Sequence, residues 1–266
     1  VINVDAHHHL WDTAVRDYSW MDGPWADPIR GRFDLSRYAE AVPARESVAV
    51  QAVMDEAETR ELLAAPVAGV VGWTDLTAPD VAERLAELKA AGPLVGIRHL
   101  AQDEPDPEWL TRPPVVRGIA AVGAAGLVYD LLVRPPQATA ALALARRLPE
   151  VSFVLDHAGK PDIAQGMWEP WAGWITEMAA LPNVTVKLSG LVTEAAPDWK
   201  PADILPYARH VLAAFGPSRT MYGSDWPVCT LAATPAQVTA LVEEVISADE
   251  ATAVMGGTAR RVYGLN

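Results

Sequence analysis

The stretch Val1-Ile2-Asn3-Val4-Asp5-Ala6-His7-His8-His9-Leu10-Trp11-Asp12 opens with a short apolar run and leads into three consecutive histidines. Val1–Val4 reads as a strand, because it is apolar without alternation, as parallel strands covered on both faces are. Residues two apart in an extended chain face the same way, so His7 and His9 can converge on one point while His8 faces elsewhere. Two neutral imidazoles side by side suit a divalent ion such as zinc. The C-terminal mouth of a parallel barrel is where such a pair would act. A tag remnant reads differently, since ordinary strand residues flank the run and no linker follows it.

Apolar runs of the same kind recur along the chain, at Ser47–Val53, Val67–Trp73, Leu94–Ile97, Leu127–Leu131, Ser152–Leu155, Val184–Leu188 and Thr220–Tyr222. Helical patterns fill most of the gaps. Val81, Leu85 and Leu88 share one face with Gly92 placed to end the helix, and Leu142, Leu144 and Leu148 mark another. Ser247 and Glu250 have the spacing of a capping box. This alternation predicts an α/β fold, a (β/α)8 barrel, as a single domain over residues 1–266. An open doubly wound sheet is the competing architecture, but the glycine-rich dinucleotide fingerprint that would favour it is absent after the first strand.

Bulk properties narrow the partners. The chain has 266 residues, half of them hydrophobic, and a formal charge of −13. Its 21 Lys and Arg are scattered, which argues against nucleic acid and against an anionic membrane surface. One cysteine, Cys229, cannot form an internal disulfide and reads as structural. Neither a leader-like segment nor a membrane-length apolar run is visible, so a cytoplasmic enzyme is expected.

Two further strand exits carry polar groups. Val154-Leu155-Asp156-His157-Ala158-Gly159-Lys160-Pro161 delivers Asp156 and His157 to the mouth, with Asp156 suited to orienting a ring. Met221-Tyr222-Gly223-Ser224-Asp225-Trp226-Pro227 does the same for Asp225, which can bind a metal or take a proton from water. A helix N-cap is the competing role for Asp225. Arg98 and His99 follow an apolar strand, Tyr129 leaves the next one, and Gln102 and Asp103 have the donors and acceptors that hydroxyl groups need. Trp11, Trp73 and Trp226 sit at strand exits, where an indole face could meet an apolar ring face. Trp168, Trp171 and Trp174 lie at helical spacing and read as packing.

The pieces DAHHHLWD (5–12), GWTDL (72–76), GIRHLAQDEPDPEWL (96–110), YDLLV (129–133), FVLDHAGKP (153–161), VKLSGL (186–191) and YGSDWPV (222–228) together resemble the amidohydrolase superfamily. The resemblance is to its branch of sugar-lactone hydrolases, which includes L-fuconolactonases and L-rhamnonolactonases. They run in family order over nearly the whole chain. The HxH pair and the late aspartate are shared by many reactions, whereas the 96–110 stretch is closer to the fuconolactonase group. Members with two metals place a bridging Lys or Glu and a further His on middle strands. The matching exits here offer Tyr129, Asp130, Lys187 and Ser189, so a binuclear centre is not expected.

The resemblance implies hydrolysis of an aldonolactone, such as L-fucono- or L-rhamnono-lactone, to its aldonic acid. Asp225, His157 and Arg98 would be catalytic, with Asp225 activating water. Trp11, His99, Gln102, Tyr129 and Trp226 would bind substrate. One divalent ion, zinc first, would sit on His7, His9, His157 and Asp225, the alternative being metal-independent catalysis by the imidazoles with Arg98. The partner is a small sugar lactone, and homodimers occur among such barrels. Rival expectations are a pyrone-dicarboxylate hydrolase or a metal-dependent aromatic acid decarboxylase on the same fold, and a non-catalytic ligand-binding barrel. A dicarboxylate pocket would gather arginines at the mouth, and only Arg98 and Arg134 stand at the expected exits.

Overall fold

The computed structural model describes residues 1–265. Ten strands occur in chain order: β1 (Val4–His8), β2 (Trp11–Asp12), β3 (Arg32–Phe33), β4 (Glu46–Val50), β5 (Gly69–Gly72), β6 (Leu94–His99), β7 (Val128–Leu131), β8 (Phe153–Leu155), β9 (Val184–Leu188) and β10 (Thr220–Tyr222). All but β2 and β3 form one parallel sheet in the order β1-β4-β5-β6-β7-β8-β9-β10. Its two edges meet through the segment after β10, where Asp225 N–H donates to the His7 carbonyl (2.8 Å) and His9 N–H to that of Trp226 (2.7 Å). The sheet is thereby curled into the expected (β/α)8 barrel.

Two cores hold it. Val4, Ala6, Val48, Val50, Val71, Val128, Val154 and Met221 pack against one another, with Ala259 and Tyr263 of the last helix plugging that cluster. A larger core lies between barrel and helices, built from side chains such as Leu85, Leu88, Ile119, Ile175, Val211 and Leu241. The strands expected at 47–53, 67–73 and 127–131 are each shorter by one to three residues than their apolar runs: the first stops at Val50, the second spans Gly69–Gly72, and the third begins at Val128. Glu250 accepts from the Ser247 N–H (2.8 Å) as the capping-box spacing predicts, but the Ser247 hydroxyl donates to the same carboxylate.

The first strand departs most from expectation. It runs Val4–His8, through the histidines rather than before them. A bulge between Asp5 and His8 resets the alternation, as bulges near functional sites do. Val4 and Ala6 join the inner core, Asp5 and His8 pack outward against Tyr38, and His7 is freed to face the barrel axis. Between β2 and β3, which pair antiparallel, the chain folds through two 3-10 turns at Ser19–Met21 and Pro24–Ile29. The Trp20 indole anchors this flap by donating to the Ala52 carbonyl (2.8 Å) beyond β4. No helix among the described residues is long and apolar enough to cross a membrane.

Candidate active site

The barrel mouth brings together His7, His9, His157 and Asp225. His7 Nε2 lies 3.2 Å from His9 Nε2 and 3.7 Å from Asp225 Oδ1, while the same oxygen is 3.5 Å from His9 Nε2 and 4.0 Å from His157 Nε2. The rings are set from behind. His9 donates Nδ1–H to the Val50 carbonyl (2.8 Å), and His157 Nδ1 bonds Ser189 Oγ (2.8 Å). Each of those two rings therefore turns Nε2 toward Asp225.

Backbone geometry at two of these positions is unusual. Asp225 has φ 56°, which aspartate tolerates better than most residues. After β8 the chain makes a left-handed turn in which His157, Ala158, Gly159 and Lys160 have φ of 53°, 51°, 69° and 51°. Lys160 N–H closes the turn on the His157 carbonyl (2.9 Å). Residues held in this region cost free energy and persist where the surroundings impose them, often at functional sites.

Charge is managed beneath the floor. Lys187, wholly buried on β9, reaches Asp130 Oδ2 (2.6 Å), Asp156 Oδ1 (2.9 Å) and His7 Nδ1 (3.2 Å). Tyr263 donates to Asp130 from below (2.8 Å). Arg98 bonds Gln51 Oε1 through Nε (3.0 Å) and Nη2 (2.9 Å), the Gln51 carbonyl through Nη2, and Asp156 Oδ2 through Nη1 (2.9 Å), which also faces His7 Nε2 at 3.4 Å. A guanidinium has five N–H groups, and each here has an acceptor.

The titrating groups respond to burial and to one another. Burial pushes the His157 imidazole down to about 4 against the pull of Asp225, and takes His7 well below its usual value, so both are neutral at pH 7. Burial would raise Asp225, but His157 and the hydrogen bond with His9 hold it below the usual carboxylate value, hence ionised. Asp156 is likewise opposed by burial yet kept well below its usual range by Lys187 and His7. Burial lowers the Lys160 ammonium, opposed by Glu194.

Above the floor is a cavity whose walls include Trp20, Leu100, Leu132 and Val228 on the apolar side and Gln102, Asp103, Lys160 and Thr193 on the polar side. Gln102 lines this cavity, and its buried Oε1 has no hydrogen-bond partner among the described residues. Arg98 lines the cavity with no N–H to offer. Four expected substrate contacts are located elsewhere. Tyr129 points outward into the shell core against Phe153, since its neighbour Asp130 takes the inward side. Trp11 is buried with Tyr18 and Phe33, and Trp226 with Phe33 and Tyr38. His99 is packed on Trp109 and bonded to Glu104 (2.7 Å) and Trp73. Cys229 is buried, as a structural residue would be. Sequence reasoning did not single out Trp20 or Lys160. A tryptophan amid Asp, Gly and Pro, and a lysine three residues past a strand-exit histidine, were the available signals.

The donor set fits one metal ion. His7, His157 and Asp225 each offer a ligand atom, all within 4.8 Å of one another. Ligands about 2.0–2.1 Å from a tetrahedral zinc stand about 3.3 Å apart, close to the 3.2, 3.5 and 3.7 Å measured here among His7, His9 and Asp225. His9 faces the cluster with a lone pair and Asp225 with a charge. A divalent ion held there would take up that lone pair and balance that charge. Asp156 Oδ1 stands 3.4 Å from His7 Nδ1, on the side from which a carboxylate can orient a ligating histidine.

The amidohydrolase family model matches residues 4–265. The chain is a member of the amidohydrolase family. This amidohydrolase is 40% identical to an L-fucono-1,5-lactonase of Burkholderia multivorans, over 99% of the present chain and 96% of that one. A crystal structure of an amidohydrolase from Burkholderia multivorans with bound zinc superposes with a TM-score of 0.93 at 39% identity, covering both chains completely. A 5-carboxyvanillate decarboxylase of Sphingomonas paucimobilis also covers both chains completely, with a TM-score of 0.65 at 15% identity, and so shares the fold alone. The amidohydrolase is thus an enzyme of the lactone-hydrolase kind, built around a site able to hold a metal ion.

Proposed function

We propose that this amidohydrolase opens a sugar lactone, an aldonolactone of the L-fucono or L-rhamnono type, to its aldonic acid. The observation that carries this reading over a charged substrate is the state of the arginines. Arg98 is the one arginine lining the cavity among the described residues, and all its donors are occupied. Arg134 is paired with Glu194 at 3.3 Å. A dicarboxylate would find no free guanidinium, whereas Gln102 Oε1 and Asp103 can accept from hydroxyl groups and Trp20 can cover the C–H face of a ring.

Asp225 takes a proton from the attacking water, which the imidazoles of His7, His9 and His157 flank. It later returns that proton to the ring oxygen. Negative charge develops on the lactone carbonyl oxygen beside the same cluster. When bound on His7, His9, His157 and Asp225, a divalent ion would supply Lewis-acid polarisation at the same place. The reading carries with it a single domain over residues 1–266, a cytoplasmic location, no nucleic-acid or membrane partner, and a homodimer, which sedimentation would check.

The test is acid release from a panel of aldonolactones, followed with a pH indicator, before and after chelation. Rapid release from L-fucono- or L-rhamnono-lactone supports the reading, and the chelated sample shows whether the metal is needed. No release from any sugar lactone would overturn it.

A further inference from the structure

The cavity contains a cation without a hydrogen-bond partner among the described residues, and it is not the arginine. The Lys160 side chain is 14% exposed, and its Nζ is 3.7 Å from Glu194 Oε1, beyond hydrogen-bond length. Glu194 is shared with Arg134, so it only partly balances the lysine. Lys160 lines the cavity together with His157, Thr193 and Asp225. The left-handed turn explains how it gets there. Its closing bond joins residues three apart, and in so tight a turn such residues stack on one side. The ammonium therefore follows the His157 ring into the cavity, one step further from the floor. Strand order places this turn, after β8, across the mouth from the Trp20 flap after β1.

We propose that Lys160 is a catalytic residue of lactone opening, donating a hydrogen bond to the endocyclic ester oxygen as that oxygen leaves. The inference rests on the lactone-hydrolase reading above. Water oxygen bonds to the carbonyl carbon and one of its protons goes to Asp225. The ring C–O bond then breaks, and its electron pair goes to the ring oxygen. Asp225 passes its proton to that oxygen, forming the free hydroxyl, and the new carboxylic acid loses its proton to bulk water. Lys160 transfers no proton. It holds the charge on the ring oxygen between bond breaking and proton arrival, a job for which Arg98 has no donor left.

The role predicts a dependence on the leaving group. An aldonolactone expels a strongly basic alkoxide, whereas dihydrocoumarin, an aromatic lactone, expels a phenolate that needs little help. Steady-state kinetics of wild type, Lys160→Met and Lys160→Arg on L-fuconolactone and dihydrocoumarin separate the cases. Lys160→Met should lose roughly 100-fold or more in kcat on the aldonolactone, with KM changed by less than about threefold, and less than about tenfold in kcat on dihydrocoumarin. Lys160→Arg should recover most of the loss. Equal losses on both substrates, or none on either, would overturn the proposal while leaving the lactonase reading intact. A wild type that does not open L-fuconolactone would overturn both. Lys160→Gln, which keeps a polar end, supplies the same comparison should the methionine variant fail to fold.

Discussion

Arg98 Nη1 lies 2.9 Å from Asp156 Oδ2, and both side chains are buried. The pair is a brace for the floor of the site, joining β6 to the exit of β8 and, through Gln51, to the exit of β4. Removing one member of a buried pair costs about 3–5 kcal/mol where the other charge is left uncompensated, but Lys187 stays 2.9 Å from Asp156. Arg98→Met should therefore lower the unfolding free energy by less than that range, measured by urea denaturation. Wild-type stability with activity alone lost would instead mark Arg98 as a reagent.

Asp225 contributes its carboxylate to the chemistry and its backbone to barrel closure. Asp225→Asn keeps the N–H bond to His7 and tolerates the positive φ. It should lower kcat by roughly 10²–10⁴-fold with a melting temperature close to wild type. An active asparagine variant would remove Asp225 from the mechanism.

Gly190 sits at φ +64°, and a Cβ there would lie 2.5 Å from His157 Nδ1. Gly190→Ala must push the imidazole off its Ser189 bond. A displacement of about 1 Å at a catalytic group costs about 10²-fold, so kcat/KM should fall by that order although residue 190 contributes no side-chain chemistry. Undiminished kcat/KM would show that the His157 position is not limiting.

Trp20 lines the cavity from the flap that follows the first strand. Aromatic stacking is worth about 0.5–1.5 kcal/mol, so Trp20→Ala should raise KM roughly threefold to tenfold with kcat nearly unchanged. A parallel fall in kcat would place the flap in the chemical step.

Glu58, buried behind β4, accepts from the N–H groups of Ala52 (2.9 Å) and Val53 (3.1 Å). Burial raises its carboxyl from 4.5 to about 7 against those hydrogen bonds. The folded protein therefore binds this proton more tightly than the unfolded chain. The resulting stability is fully present below pH 4.5 and is lost as pH rises through about 7. Glu58→Gln should flatten this slope, so that melting temperatures at pH 5 and pH 8 differ less than in wild type. An unchanged slope would assign the proton elsewhere.

Much of this architecture was legible from strand exits. Apolar runs ending in His7 and His9, His157 and Asp225 already point four reactive groups at one mouth, because parallel strands all finish on the same side. What could not be read is which face a doubly covered strand turns inward. The run Val128–Leu131 has no alternation, so nothing in it says that Asp130 rather than Tyr129 points to the axis. Nor does the spacing around Asp5 announce a bulge. The occupied state of Arg98 depends on Gln51 and Asp156, 47 and 58 residues away, and Trp20 reaches the cavity from an irregular flap with no periodicity to follow.

The left-handed turn from His157 to Lys160 is intolerant of a change in length. Adding or deleting one residue would rotate position 160 away from His157 or break the bond that closes the turn. Gly159 cannot accept a side chain either, since a Cβ there would lie 2.3 Å from the Trp174 ring. Exchange of the side chain at position 160 leaves the backbone as it is. Redesign of the substrate range at this corner is therefore a matter of swapping one residue on a fixed mount, and loop grafting, the usual route on barrel scaffolds, is closed here.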